Sequence, residues 1–246
     1  MQIMLAADYS RMSAMAADLA AQQLKNVARP LICVAAGTSP AGFYKALLAL
    51  QQTGGVSMQH WSYVSLDEWL SVPGSEKGSS RNMMDEALFI PGRIQPRQIK
   101  FFDGLAAHPE EECAAMEAYI EQHGGIDMAI LGLGMNGHVG LNEPGVDPAL
   151  STHVCKLSES TRRVAQKYFT HEKQLDKGIT LGIASLMKAR MLLLIVSGVH
   201  KAGILQQALE GPVTKQVPAS LLRDHPALYV VADAAAASLL KHKPTT

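Results

Sequence analysis

The sequence carries no excess charge of either sign: 22 lysines and arginines stand against 22 aspartates and glutamates over 246 residues. Without a basic excess or a polybasic run, nothing in it favours a nucleic acid or a membrane surface as partner. An anionic ligand would have to be held by a few placed groups rather than by a broad field. Cysteine is scarce, and Cys33, Cys113 and Cys155 lie far apart, odd in number and without a C-x-x-C pair. That spacing argues against a disulfide scaffold and a structural zinc site, and it suits a reducing cytosol. Long apolar runs are missing too. The stretch Met1–Leu5 meets Asp8 before a signal-length core develops, and no later run reaches the roughly 18 apolar residues that span a bilayer. The expectation is a soluble cytoplasmic protein that binds no metal.

Linkers, low-complexity tracts and internal repeats are likewise absent, so residues 1–246 read as a single domain. Nearly half of the residues (48%) are apolar, enough to bury a substantial core at this length. Short apolar runs alternate with helix-like segments throughout. Strands are expected at Ile3–Ala6, Leu31–Ala35, Trp61–Leu66, Ile99–Phe102, Ile126–Leu133, His153–Leu157, Ile179–Leu181, Met191–Val196 and Leu228–Ala232. Several are continuously apolar, as parallel strands covered on both faces must be.

Helices are expected at Ala41–Gln52 behind Pro40, around Met83–Leu88 behind a Ser79 or Ser80 cap, and at Cys113–Gln122. Pro109 and three glutamates open the last of these, and Gly124-Gly125 ends it. A fourth is expected at Lys201–Leu209. Alternation of this kind predicts an α/β fold, a three-layer sandwich around a mostly parallel sheet. In such sheets ligands bind beyond the carboxyl ends of the strands, so chemistry is sought just after each strand.

Four strand ends carry polar groups. Ala36-Gly37-Thr38-Ser39-Pro40 feeds a helix N-terminus with free backbone N–H groups and two hydroxyls, which suits a phosphate as well as an ordinary turn. Ser65-Leu66-Asp67-Glu68-Trp69 ends a strand in two acids that point to opposite faces, so only one enters the crevice easily. That carboxylate is either a general base or simply solvated. At Val196-Ser197-Gly198-Val199-His200-Lys201, the lysine either lies along the surface or supplies a point charge to a phosphate.

The fourth strand end is Ile130–Gly145, whose Gly132, Gly134 and Gly137 have the G-x-G-x-x-G spacing of a dinucleotide loop. The third glycine of such a loop should open a helix. Here Gly140, Pro144 and Gly145 oppose one. The reading as a catalytic loop is preferred, with His138 and Glu143 converging on one point.

Together these segments resemble the glucosamine-6-phosphate deaminase and 6-phosphogluconolactonase superfamily, sugar-phosphate enzymes on a modified Rossmann-like fold. The resemblance runs from Leu31 to about Ala232, with the motifs in family order. Ala36-Gly37-Thr38-Ser39-Pro40 is similar to the family phosphate loop, and Leu66-Asp67-Glu68 to the strand end bearing the base. Gly137-His138 with Asn142-Glu143-Pro144 resembles the deaminase signature, and Ser197–Lys201 the segment that supplies a phosphate lysine. Asn142-Glu143-Pro144 favours the hexosamine-phosphate branch over the lactonases.

The resemblance implies conversion of glucosamine-6-phosphate or galactosamine-6-phosphate to the ketose 6-phosphate with release of ammonia, without a cofactor. Its alternatives are a lactonase-like sugar-lactone phosphate hydrolase and a non-catalytic sugar-phosphate sensor. It assigns ring opening to His138, the proton at C2 to Asp67 and the tuning of His138 to Glu143. Gly37, Thr38, Ser39 and Lys201 would hold the phosphate.

Asn136 stands where the best-known glucosamine enzymes have aspartate, and it can orient an imidazole through its amide oxygen without supplying charge. The partner implied is a small sugar phosphate, with a homo-oligomer left open. The family's second phosphate-binding arginine has no direct counterpart, and Lys167 lies near its position. His153 and Cys155 occupy positions that are basic in allosteric hexameric deaminases. Hyperbolic kinetics are therefore expected, and a sigmoidal rate curve relieved by an N-acetylated sugar phosphate would refute this.

Overall fold

The computed structural model describes residues 1–242. In chain order, β1 (Gln2–Ala6), α1 (Tyr9–Leu24), β2 (Leu31–Val34), α2 (Thr38–Gln52), β3 (Ser62–Ser65) and β4 (Asp67–Trp69) come first. Then follow α3 (Ser80–Met84), β5 (Ile99–Lys100), α4 (Pro109–Gln122), β6 (Met128–Gly132), β7 (His153–Lys156), α5 (Glu159–Ala165) and β8 (Lys177–Thr180). The remainder is α6 (Ile183–Leu186), β9 (Leu192–Val196), α7 (Ala202–Glu210) and β10 (Leu228–Asp233).

Seven strands form one sheet in the order β1-β10-β9-β6-β2-β3-β5, every pairing parallel. Inside the sheet lie short, fully buried apolar runs such as Leu31-Ile32-Cys33-Val34 and Leu192-Leu193-Leu194-Ile195-Val196. Because side chains alternate across a strand, each run feeds two cores. Ile32, Val34, Ile130, Leu193 and Ile195 pack with Met12, Ala16, Phe43 and Leu47 of α1 and α2. Leu31, Cys33, Leu131, Leu192 and Leu194 pack on the other face with Met116 of α4 and Leu205 of α7. That is the expected three-layer sandwich.

Three differences from the sequence reading stand out. The helix α1 is not among the expected elements, and it buries Met12, Leu19 and Leu24 together with Ala16, Ala17 and Ala20. The first turn of α2 begins at Thr38, with Pro40 third rather than first. And β7 and β8 do not join the parallel sheet: they form a separate antiparallel sheet, β4-β8-β7, in which Asp67 pairs with Thr180. Asp67 therefore sits on its own short strand rather than at the tip of β3.

After β2 the chain adds β3 and then β5 on one side, and later places β6 on the other side of β2. The crevice forced open at the carboxyl ends of β2 and β6 is the position where such folds bind ligands. One turn beside it is packed without slack. A Cβ on Gly182, the residue before α6, would run into the carbonyl oxygens of Leu150 and Ser151. Gly182→Ala is thus expected to cost about 1–3 kcal/mol of stability through overpacking, read as a lower urea midpoint; an unchanged midpoint would contradict this packing.

Candidate active site

A cavity of about 560 Å³ opens at that crevice, walled by the turns after β2, β6 and β9 and by β4 and α5. The turn after β2 brings Gly37, Thr38 and Ser39 to its rim. Gly37 precedes α2 with no side-chain cap, so the first-turn N–H groups of the helix stay free for an anion. Behind that turn the Tyr9 hydroxyl, from α1, donates to the Thr38 carbonyl at 2.8 Å and accepts from Gly42 N–H at 2.7 Å. The loop expected to hold phosphate is thereby tied to a second helix.

The two acids of β4 do point apart. Asp67 lines the cavity, whereas Glu68 is completely buried beneath it. Burial pushes the Asp67 carboxyl up to about 6, against the lowering effects of a hydrogen bond from Ser80 and of nearby His138. Burial likewise raises Glu68, to about 7, while backbone N–H groups of Arg81, Ser80 and Trp69 oppose the rise. Neither acid is simply solvated.

The glycine-dense turn after β6 forms no helix after Gly137, which excludes the dinucleotide geometry. Its glycines make room instead. The His138 ring occupies the space a Cβ on Gly134 would need, and Gly137, at φ 86°, passes so close to Val217 that a Cβ would lie 2.9 Å from its Cγ1. His138 Nδ1 is 3.7 Å from Glu143 Oε2 and 3.3 Å from Thr161 Oγ1, so His138 and Glu143 do converge. Burial acts to raise the Glu143 carboxyl, but hydrogen bonds and charge from His138, with Thr161 and Asn136, win and hold it at about 2.

Asn136 does not orient the imidazole. Its Nδ2 donates to Glu143 Oε2 at 2.7 Å, and its Oδ1 accepts from the backbone N–H of His138 at 3.2 Å. An amide can donate where a carboxylate cannot, so this residue fixes Glu143 directly. Asn142 is fully buried and structural: its Nδ2 bonds the carbonyls of Val139 and Leu181.

Lys201 reaches the cavity from the turn after β9, its Nζ donating to the Leu133 carbonyl at 2.6 Å. Desolvation, then the charge of Lys167, lowers its pKa to about 8. Lys167 follows α5, a short helix capped by Ser158, and faces the same cavity. The segment is fastened beyond it by Lys173, which pairs with Glu76 at 2.7 Å.

The same arrangement of strands and turns is found in proteins of known class. Residues 6–230 match the model of the family described as glucosamine-6-phosphate isomerases/6-phosphogluconolactonase. The chain belongs to this family. Its relatives in the glucosamine-6-phosphate isomerase/6-phosphogluconolactonase family include a glucosamine-6-phosphate deaminase of Shouchella clausii, 37% identical over 99% of both chains. Another, of Geobacillus sp., is 38% identical over 98% of this chain and 96% of its own.

A solved structure of a monomeric glucosamine-6-phosphate deaminase superposes with a TM-score of 0.93 at 33% identity, covering 97% of this chain and all of the other. A 6-phosphogluconolactonase from Trypanosoma brucei shares the fold at a TM-score of 0.76 and 20% identity, covering 96% of this chain and 97% of its own. No helix among the described residues is long and apolar enough to cross a membrane.

Within this family member the cavity brings together Gly37, Thr38, Ser39, Asp67, Asn136, His138 and Lys201, with Glu143 behind His138. Sequence reasoning did not single out Ser80 or Thr161 as site residues. Both are common cap residues, and only their tertiary partners mark them out.

Because its folded pKa is raised, ionised Asp67 works against folding. The penalty is absent below the unfolded value of about 3.9 and grows as pH rises through about 6. Asp67→Asn is expected to be more resistant to urea than wild type at pH 8, the gap closing by pH 4. A gap of equal size at both pH values would refute this.

Proposed function

We propose that the protein converts glucosamine-6-phosphate and water to the ketose 6-phosphate and ammonia. One observation carries the reading: a desolvated carboxylate, Asp67, and the imidazole of His138 face the same cavity as the Gly37–Ser39 turn and Lys201. A phosphate at one end and proton-transfer groups at the other fit an amino sugar phosphate between them. The deaminase names of the full-length relatives support the same substrate.

The phosphate is held by the N–H groups of the Gly37-Thr38-Ser39 turn and by Lys201, with Lys167 as the second cation. His138 moves a proton from the C1 hydroxyl to the ring oxygen as the pyranose opens. Asp67 takes the proton from C2 as the C1–C2 double bond of an enolamine forms. The C1 carbonyl oxygen gains the proton that the C2 ammonium gives up, and Asp67 returns its own proton to C1. That leaves an imine at C2, which water hydrolyses to the ketone as ammonia departs. Glu143, anionic throughout the working range, stabilises His138 while it carries charge, and Asn136 keeps Glu143 in place. Positioned carboxylate and imidazole groups contribute about 10²–10⁴-fold to such proton transfers.

Two alternatives are separated by product. A lactone hydrolase would release acid from 6-phosphogluconolactone without ammonia, and a sensor would bind sugar phosphate without turnover. Ammonia and ketose release from glucosamine- and galactosamine-6-phosphate, with the lactone as control, decides among them. Asp67→Asn is expected to abolish ammonia release while substrate still protects against heat; unchanged turnover would sink the assignment. In the wild type kcat/KM should rise through pH 6 as Asp67 ionises and fall above pH 8 as free Lys201 loses its proton. A flat profile across that range would remove both roles.

A further inference from the structure

Among the described residues, Ser80 is the one that donates a hydrogen bond to the side chain of Asp67, Oγ to Oδ1 at 3.1 Å. Its position is unusual for a serine at the start of a helix. Ser80 is the first residue of α3, and the capping of that helix is done by others. Ser79 is the cap: its hydroxyl accepts from Asn82 N–H at 3.0 Å and donates to the Gly74 carbonyl at 2.8 Å. The N–H groups of Ser80 and Arg81 donate to the two oxygens of Glu68, each at 2.8 Å, and Trp69 N–H donates to the same carboxylate at 2.8 Å. The Ser80 hydroxyl is thus released from helix duties and aimed at the carboxylate next to Glu68, on a residue only 2% exposed.

We propose that Ser80 is the positioning residue of the general base: its hydroxyl orients the Asp67 carboxylate towards the cavity, and buried Glu68 locks Ser80 in place. The inference rests on Asp67 being the base. With one oxygen held by Ser80, the other is left to face substrate.

The groups around Asp67 leave this role to Ser80. Glu68 on β4, His138 in the turn after β6, Cys33 on β2, Tyr44 on α2 and Cys155 on β7 are near enough to interact with its charge. His138 acts on it through charge, whereas Ser80 acts through a hydrogen bond to the ionised form. A donor to the charged form of an acid lowers its pKa, so its removal raises it. The direction of the effect is therefore set: without Ser80 the base titrates at higher pH.

The test compares Ser80→Ala with Ser79→Ala, two alanine substitutions one residue apart. Ser80→Ala is expected to move the acid limb of kcat/KM upward by about one pH unit, the scale of one hydrogen bond to a charged group. Ser80→Cys, nearly isosteric and a weak donor, should move it in the same direction and guards against loss of fold. Ser79→Ala should lower the thermal midpoint and leave the limb where it is, because it removes a helix cap without touching Asp67. An unmoved limb in both Ser80 variants, or an equal movement in Ser79→Ala, would overturn the proposal. If Asp67→Asn keeps its turnover, the base assignment fails first. If Asp67→Asn is inactive while the Ser80 variants keep the wild-type limb, Ser80 alone is refuted.

Discussion

Parallel strands that are added outward in two directions from one point cannot be bridged by a helix at that point. Here the point lies between β2 and β6, and the gap at their carboxyl ends holds the cavity. The constraint is topological before it is chemical. The strands must be continuously apolar to be buried on both faces, so polar groups are pushed to the turns just beyond them. Those turns deliver Thr38, Ser39, His138 and Lys201 to one place from segments far apart in the chain.

With its charges balanced, the protein offers an anion local groups rather than a broad field, and the cavity sorts its few charges by position. Lys201 and Lys167 share one end, where desolvation and then the charge of Lys167 disfavour the protonated form of Lys201, while Asp67 and Glu143 lie with His138. Two carboxylates in one site are driven apart in acidity by their surroundings. Asp67 is short of donors and titrates near 6, whereas Glu143 is rich in them and stays near 2. One is suited to accept and return a proton, the other to remain charged. Asn136 contributes to that separation by donating to Glu143 rather than competing with it for a proton.

The parallel sheet was legible because runs such as Leu192–Val196 are apolar at every position, which few other structures tolerate. The site was legible in its turns, since Gly37-Thr38-Ser39 and the glycine-histidine turn announce themselves by composition. What escaped did so for physical reasons. Two of the three residues of β4 are acids, which strands disfavour, and only Trp69 suits one; pairing with β8 makes them a strand. The helix α1 is buried through three alanines and a serine beside Met12, Leu19 and Leu24, so more than half of its buried residues are small. The partner of Asn136 depended on the path of the irregular turn that leads to Glu143, and the place of Lys167 on a short helix ending in a tight turn. Resemblance supplied roles for Asp67 and His138 that spacing alone left open.

The separate three-stranded sheet divides the work of the cavity between two frames. The Gly37–Ser39 turn and Lys201 hang from β2 and β9 of the large sheet, whereas Asp67 belongs to the small one. The turn bearing His138 leaves the large sheet at β6, but it is stitched to the small one. Leu141 N–H donates to Thr180 Oγ1 and the Asn142 amide to the Leu181 carbonyl. A bound sugar phosphate would thus be moored at one end to a rigid deck and worked on at the other by tools mounted on a separate bracket. Grip and chemistry thus hang from two hydrogen-bonded ladders that meet at Leu66, whose N–H donates to the Val34 carbonyl of β2 and whose carbonyl accepts from Leu181 N–H.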